Sequence, residues 1–139
     1  MSDPLLASAN AAAHGLFAQS ARMRVVSENI ANASTTGKTP GSDPYQRKTI
    51  SFDSVMDEDQ GVDLVQVGDV SRDQTPFETE YMPGNPAADA NGMVKKPNVD
   101  MLVELADMRE ASRSYAANLQ VVKQARELIN MTIDLLRST

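Results

Sequence analysis

The sequence predicts an α+β protein in which long N- and C-terminal helices form a coiled-coil-like pair with a small β-rich region between them. Three observations predict it. Apolar seams at coiled-coil spacing occupy both ends of the chain, neither seam contains an internal proline, and the stretch between them is polar, rich in turn residues and marked by short β-branched runs. On this reading residues 1–35 are the N-terminal helix, 36–97 the extended and β-rich middle, and 98–139 the C-terminal helix.

Pro4 suits the first turn of a helix, with Ser2 or Asp3 as the capping oxygen. Alternating steps of four and three from Leu5 give Leu5, Ala9, Ala12, Leu16, Gln19, Met23, Val26, Ile30 and Ala33, and only Gln19 is polar. Such a helix spans roughly 45 Å at standard rise. Its alanines permit close approach of a second helix. Ser34–Pro44 gathers turn formers and helix breakers and reads as the exit loop. Tyr45–Val55 and Val62–Val70 read as strands joined by a turn at Asp57–Gly61, the second broken at Gly68, and Thr75–Met82 is a third candidate. Pro83-Gly84-Asn85-Pro86 and Asp89-Ala90-Asn91-Gly92 forbid regular structure.

Pro97 ends the extended region, and Asn98 or Asp100 can cap the last helix, with Glu104 and Asp107 near its positive end. Its seam reads Met101, Leu105, Met108, Ser112, Tyr115, Leu119, Val122, Arg126, Ile129, Ile133 and Leu136, interrupted only at Ser112 and Arg126. That helix reaches about 58 Å. Spacing fits a private helical hairpin and a bundle shared between chains equally well.

Composition bears on function. Three Phe, three Tyr and no Trp leave few large aromatic side chains for a self-contained core. The formal net charge is −6, and residues 38–97 hold six Lys/Arg against eleven Asp/Glu, which argues against a phosphate-binding face and hence against nucleic acid. With no cysteine, disulfides, thiolate metal sites and cysteine nucleophiles are excluded. A cleaved secretory signal is not expected, because the first basic residue is Arg22 and the preceding stretch is interrupted by Asn10, His14 and Gln19. Nor is there an uninterrupted apolar run of about eighteen residues.

Chemistry-bearing groups are sparse. His14 is the sole histidine and lacks companions for metal ligation or a nucleophile–base pair. Asp57-Glu58-Asp59 lacks the alternating ligands and distal Glu of a calcium loop, and Asp89–Gly92 lacks that loop's leading ligands. Asn32-Ala33-Ser34 and Asn130-Met131-Thr132 match the short glycosylation pattern, the second inside a packed helix. There is no phosphate loop and no nucleophile elbow. The expectation is therefore no enzyme, no cofactor, no metal and no small-molecule substrate.

The stretch from Tyr81 to Asp100, with Pro83, Gly84, Asn85, Pro86, Asp89, Asn91, Gly92, Pro97, Asn98 and Asp100 in order, resembles the flagellar rod and hook axial family, in particular its basal-body rod proteins. Ser112, Arg113, Tyr115 and Asn118 resemble that family's C-terminal helix. The segment holding Asn29, Ala31 and Asn32 resembles its N-terminal signature. Residues 34–44 and 53–75 match poorly.

The resemblance implies a structural subunit of the proximal rod of the bacterial flagellar basal body, assembling by terminal-helix packing into a helical tube that transmits torque. It implies contacts with copies of itself, with other rod subunits and with the rotor base ring. It also implies export through the flagellar type III apparatus without a cleaved signal, and a place in the periplasmic rod. The alternative is a non-polymerising helical adaptor or chaperone for another flagellar protein.

Overall fold

In the computed structural model, which describes residues 4–137, the order is α1 (Pro4–Ala31), β1 (Lys48–Asp57), β2 (Val62–Arg72), β3 (Thr79–Tyr81), β4 (Met93–Lys95) and α2 (Met101–Arg137). The α+β expectation holds: two long helices bracket two small two-stranded sheets, β1-β2 and β3-β4. At standard rise the helices measure about 42 and 56 Å. The proposed caps Ser2 and Asp3 lie outside the described residues. No described helix is long and apolar enough to cross a membrane.

Helix α1 stops where Asn32 turns its side chain back, Nδ2 donating to the Glu28 carbonyl at 2.9 Å, while Thr35 Oγ1 donates to Asn32 Oδ1 at 3.2 Å. This is the side-chain competition that disfavours Asn and Thr in helix interiors. At the start of α2 the choice of cap falls to Asp100, whose Oδ1 accepts from the amides of Leu102 at 2.8 Å and Val103 at 3.3 Å. Two of the otherwise unsatisfied first-turn amides are thereby paired.

The β1–β2 turn forms at Asp57–Gly61. Asp57 Oδ1 accepts from the amides of Asp59 and Gln60, its carbonyl accepts from Gly61 at 2.7 Å, and Gly61 takes a φ of 67°. Glycine tolerates that conformation without a Cβ penalty. Strand β1 starts three residues later than the alternation from Tyr45 suggests, because Tyr45 and Arg47 turn to side-chain bonding described below.

Of the third candidate strand only Thr79–Tyr81 is regular, and it pairs antiparallel with β4 in the register Thr79↔Lys95, Glu80↔Val94 and Tyr81↔Met93. Between them, Pro83–Pro86 and Asp89–Gly92 form turns: Ala87 N donates to Asn85 Oδ1, Asn91 N and Met93 N donate to Asp89 Oδ1, and Gly92 has a φ of 77°.

The chain separates into two compact units, each drawing on all three sequence segments. One comprises residues up to Met23, Ser51–Asp69 and those from Arg109 onward; the other comprises Arg24–Ile50 and Val70–Met108. The first buries Ala7, Ala12, Ala18, Leu64, Ala111 and Ala125, a core built mostly of alanine. The second buries Val25, Val26, Ala87 and Val94 around two polar residues, Asn29 and Glu104.

Candidate assembly joint

Three residue pairs define how α1 meets α2, each pair within one unit. Gly15 is so close to Asn118 that an added Cβ would lie 2.6 Å from its Nδ2, Arg22 Nη2 lies 3.5 Å from Glu110 Oε2, and Asn29 Nδ2 donates to Glu104 Oε2 at 3.1 Å. Within the first unit α1 advances seven residues from Gly15 to Arg22 while α2 retreats eight from Asn118 to Glu110, which is an antiparallel pair.

The face of α1 that meets α2 is mostly small or polar, and that of α2 alternates such residues with larger ones. On α1 the stripe Ala11, Gly15, Ala18, Arg22, Val25 and Asn29 turns inward, and on α2 the stripe Glu104, Met108, Ala111, Tyr115, Asn118, Val122, Ala125 and Ile129. Both repeat at four-three spacing. Relative to the sequence-defined seam, the α1 stripe lies one residue earlier throughout.

Seam residues Leu5, Leu16, Met23 and Ile30 are half-buried beside the α1 stripe, and Val26 is buried. On α2, Met108, Tyr115, Val122 and Ile129 fall on the inward stripe and Leu119 flanks it. Met101, Leu105, Ile133 and Leu136 are exposed, as are Leu102, Val103, Leu128 and Met131. On α1 the physical reason is that helices approach most closely where side chains are short, so Gly15 and Ala18 occupy the line of contact and Leu16, Met23 and Ile30 are displaced to its flank.

Within the second unit sits a buried polar network that the family-motif residues help to build. Asn29, 1 % exposed, donates from Nδ2 to the Lys48 carbonyl at 2.8 Å and to Glu104, while its Oδ1 accepts from Tyr45 Oη at 2.8 Å and Lys48 N at 2.9 Å. Two donors and two acceptor positions exhaust the amide's capacity. Glu104, fully buried, receives Arg47 Nε on Oε1 at 2.6 Å. Arg47 also reaches Asp73 at 3.4 Å, and its amide donates to Asn98 Oδ1 at 2.8 Å. Asn98 Nδ2 in turn holds the carbonyls of Asp73 and Thr75, each at 3.1 Å.

The charges here are mutually adjusted. Burial works against the Arg47 guanidinium, but the hydrogen bond and charge of Glu104, followed by those of Asp73, hold its pKa above the ordinary value. Hydrogen bonds from Thr75, more than the charge of Arg47, lower that of Asp73. Burial first, and then the negative charges of Glu28 and Glu104, raises that of Tyr45.

Among the motif residues, Asn29 and Asn98 thus enter one network, Asp100 caps α2 beside it and Pro97 is buried. Pro83, Gly84, Asn85, Pro86, Asp89, Asn91 and Gly92 shape the β3–β4 connection, and Asn32 and Ala31 end α1. Tyr115 and Asn118 face α1, whereas Ser112 and Arg113 are exposed. Glu104, Arg47 and Tyr45 are missing from the sequence-derived set. The signal available for Arg47 was a basic residue between a proline and a strand; for Glu104 there was none beyond its place in the first turn.

Among the described residues no group of three or more His, Cys, Asp or Glu is placed to hold a metal ion. The arrangement offers close helix contact and a rigid corner.

Comparison with known proteins gives two matching family models: "Flagella basal body rod protein" over residues 10–37 and "Flagellar basal body rod FlgEFG protein C-terminal" over residues 90–135. Together they cover the N-terminal part of the contact stripe and nearly all of α2. The chain is similar to the flagellar basal-body rod protein FlgC of Agrobacterium fabrum, 58 % identical over 137 residues that cover 99 % of each chain. It is similar also to those of Salmonella typhimurium, at 42 % identity over 89 % of this chain and 92 % of the relative, and Bacillus subtilis, at 34 % over 92 % and 95 %.

Proposed function

The chain belongs to the family of FlgC flagellar basal-body rod proteins, and from that premise we propose that it is a proximal-rod subunit whose terminal helices pack against neighbouring subunits to build a torque-bearing helical tube. A structural rod subunit assembles with other rod subunits in the basal body. The finer reading adds contact with the rotor base ring, export through the flagellar type III apparatus without a cleaved signal, and a position in the periplasmic rod.

The observation that carries the assembly reading is the outward display of large aliphatic side chains. Leu102 is 78 % and Leu128 47 % exposed, and Leu105, Met131 and Leu135 on the same helix are exposed as well. Repeated exposure of large apolar side chains fits a site of protein association. Each subunit thus presents unfilled apolar stripes, and a neighbour related by a non-closing operation continues the contact into a tube. Torque then passes through helix flanks held in register by the Asn29–Glu104–Arg47 corner.

Leu102→Asp tests this, since an exposed position tolerates the charge within the chain. The expected result is normal export and normal monomer helicity, with loss of the chain from purified basal bodies and loss of swimming. Normal incorporation would contradict the packing.

A further inference from the structure

Within the first unit, β2 runs beside α1. Asn10 Nδ2 donates to Gln60 Oε1 at 3.3 Å, Val62 lines a cleft with Pro4, Ala7 and Ala11, and Val65 and Val67 line another with His14 and Phe17. Strand β1 is therefore the outer strand of a two-stranded sheet, and its Ser51–Met56 are six consecutive exposed residues. Phe52, Val55 and Met56 are among them, at 37, 43 and 60 % exposure. An outer strand of this length, carrying large apolar groups and lacking proline, presents unpaired backbone groups that template a further strand.

Charge selects the occupant. Residues 51–69 hold six Asp/Glu and no Lys/Arg, leaving thirteen of each sign in the rest of the chain, so this segment of the hairpin by itself equals the whole formal net charge of −6. Two such hairpins brought edge to edge place like charges opposite one another, which opposes pairing. A strand in which basic residues alternate with aliphatics satisfies both features: its aliphatics meet Phe52 and Met56 on one face of β1 while its cations meet Asp53 and Asp57 on the other.

We propose that the outer edge of β1 docks an extended segment of a different protein, with Lys or Arg alternating with aliphatic residues, by strand addition. This interface is separate from the helix flanks and does not depend on them. It gives the chain a way to discriminate unlike neighbours from its own copies.

The test uses the full chain with a synthetic peptide of alternating Lys and Val, and a control peptide of alternating Glu and Val. Hydrogen exchange reads the β1 amides and calorimetry reads affinity at fixed salt. The Lys–Val peptide is expected to slow exchange within Ser51–Met56, and the Glu–Val peptide to leave it unchanged. In the double variant Phe52→Asp, Met56→Asp, affinity is expected to fall about tenfold although the variant is more acidic.

Unchanged or tighter binding by that variant would show generic charge attraction and overturn the proposal. So would protection confined to other segments or equal protection by both peptides. Sedimentation showing that the unliganded chain self-associates, and that the double variant disperses it, would assign the edge to a second copy instead and equally overturn it.

Discussion

Asn29 shows how much of the joint rests on one side chain. Its amide bridges α1, β1 and α2 with no unused hydrogen-bonding position, so Asn29→Ala leaves Glu104 and the Lys48 backbone short of partners in a buried setting. The expected loss is about 2–3 kcal/mol, read from chemical denaturation. Glu104→Ala is expected to cost about 3–5 kcal/mol, because it removes the close partner of the part-buried Arg47 charge and leaves it only the longer contact with Asp73.

Gly15 acts through space rather than bonding. Gly15→Val drives a branched side chain into Asn118 and is expected to cost about 1–3 kcal/mol, with partial recovery in Gly15→Val, Asn118→Ala. Failure of the second substitution to recover stability would remove the close-approach explanation.

The pH dependence follows from the same residues. Asp73, whose pKa is lowered, contributes stability above its ordinary 3.8, and the contribution is lost as pH falls through its folded value. Tyr45, whose pKa is raised, contributes below its ordinary 10.0, and this is lost as pH rises through its folded value. Thermal midpoints should fall at both extremes, with a shallower acid limb in Asp73→Asn and a shallower alkaline limb in Tyr45→Phe.

At the scale of elements, both long helices, the β1–β2 hairpin and its turn were legible in the sequence, because seam spacing, β-branched runs and a glycine after Asp-rich residues each have a direct geometric cause. The phase of the helix contact was less legible. Two adjacent stripes run along α1; counting large aliphatics selects Leu16, Met23 and Ile30, while the helices actually meet along Gly15, Ala18 and Arg22, where backbones come closest. Strand β4 has only three residues and follows a turn, too short for any alternation to register. The polar corner was half visible. Asn29 and Asn98 stood out as motif residues, but Glu104 looks like any first-turn acid until the fold buries it. A charge on the contact stripe should matter more than one on the flank: Ala111→Asp is expected to lower the monomer's thermal midpoint strongly, and Ser112→Asp, one residue away and exposed, only slightly.

For the whole molecule, the decisive feature is a thin core. Among the described residues the largest fully buried side chains are Glu104, Val94 and Asn29, so burial of large apolar groups does little to stabilise either unit by itself. In the proposed assembly such a subunit gains further burial from its neighbours, which suits the proposed export of an easily unfolded chain. The most direct test is a side-chain-resolution map of the rod in intact basal bodies. Leu102, Leu105, Leu128 and Met131 are expected to be covered by neighbouring subunits while Asn29, Arg47 and Glu104 remain bonded within one chain. A map showing those aliphatics facing water, with the helices touching only each other, would contradict this packing.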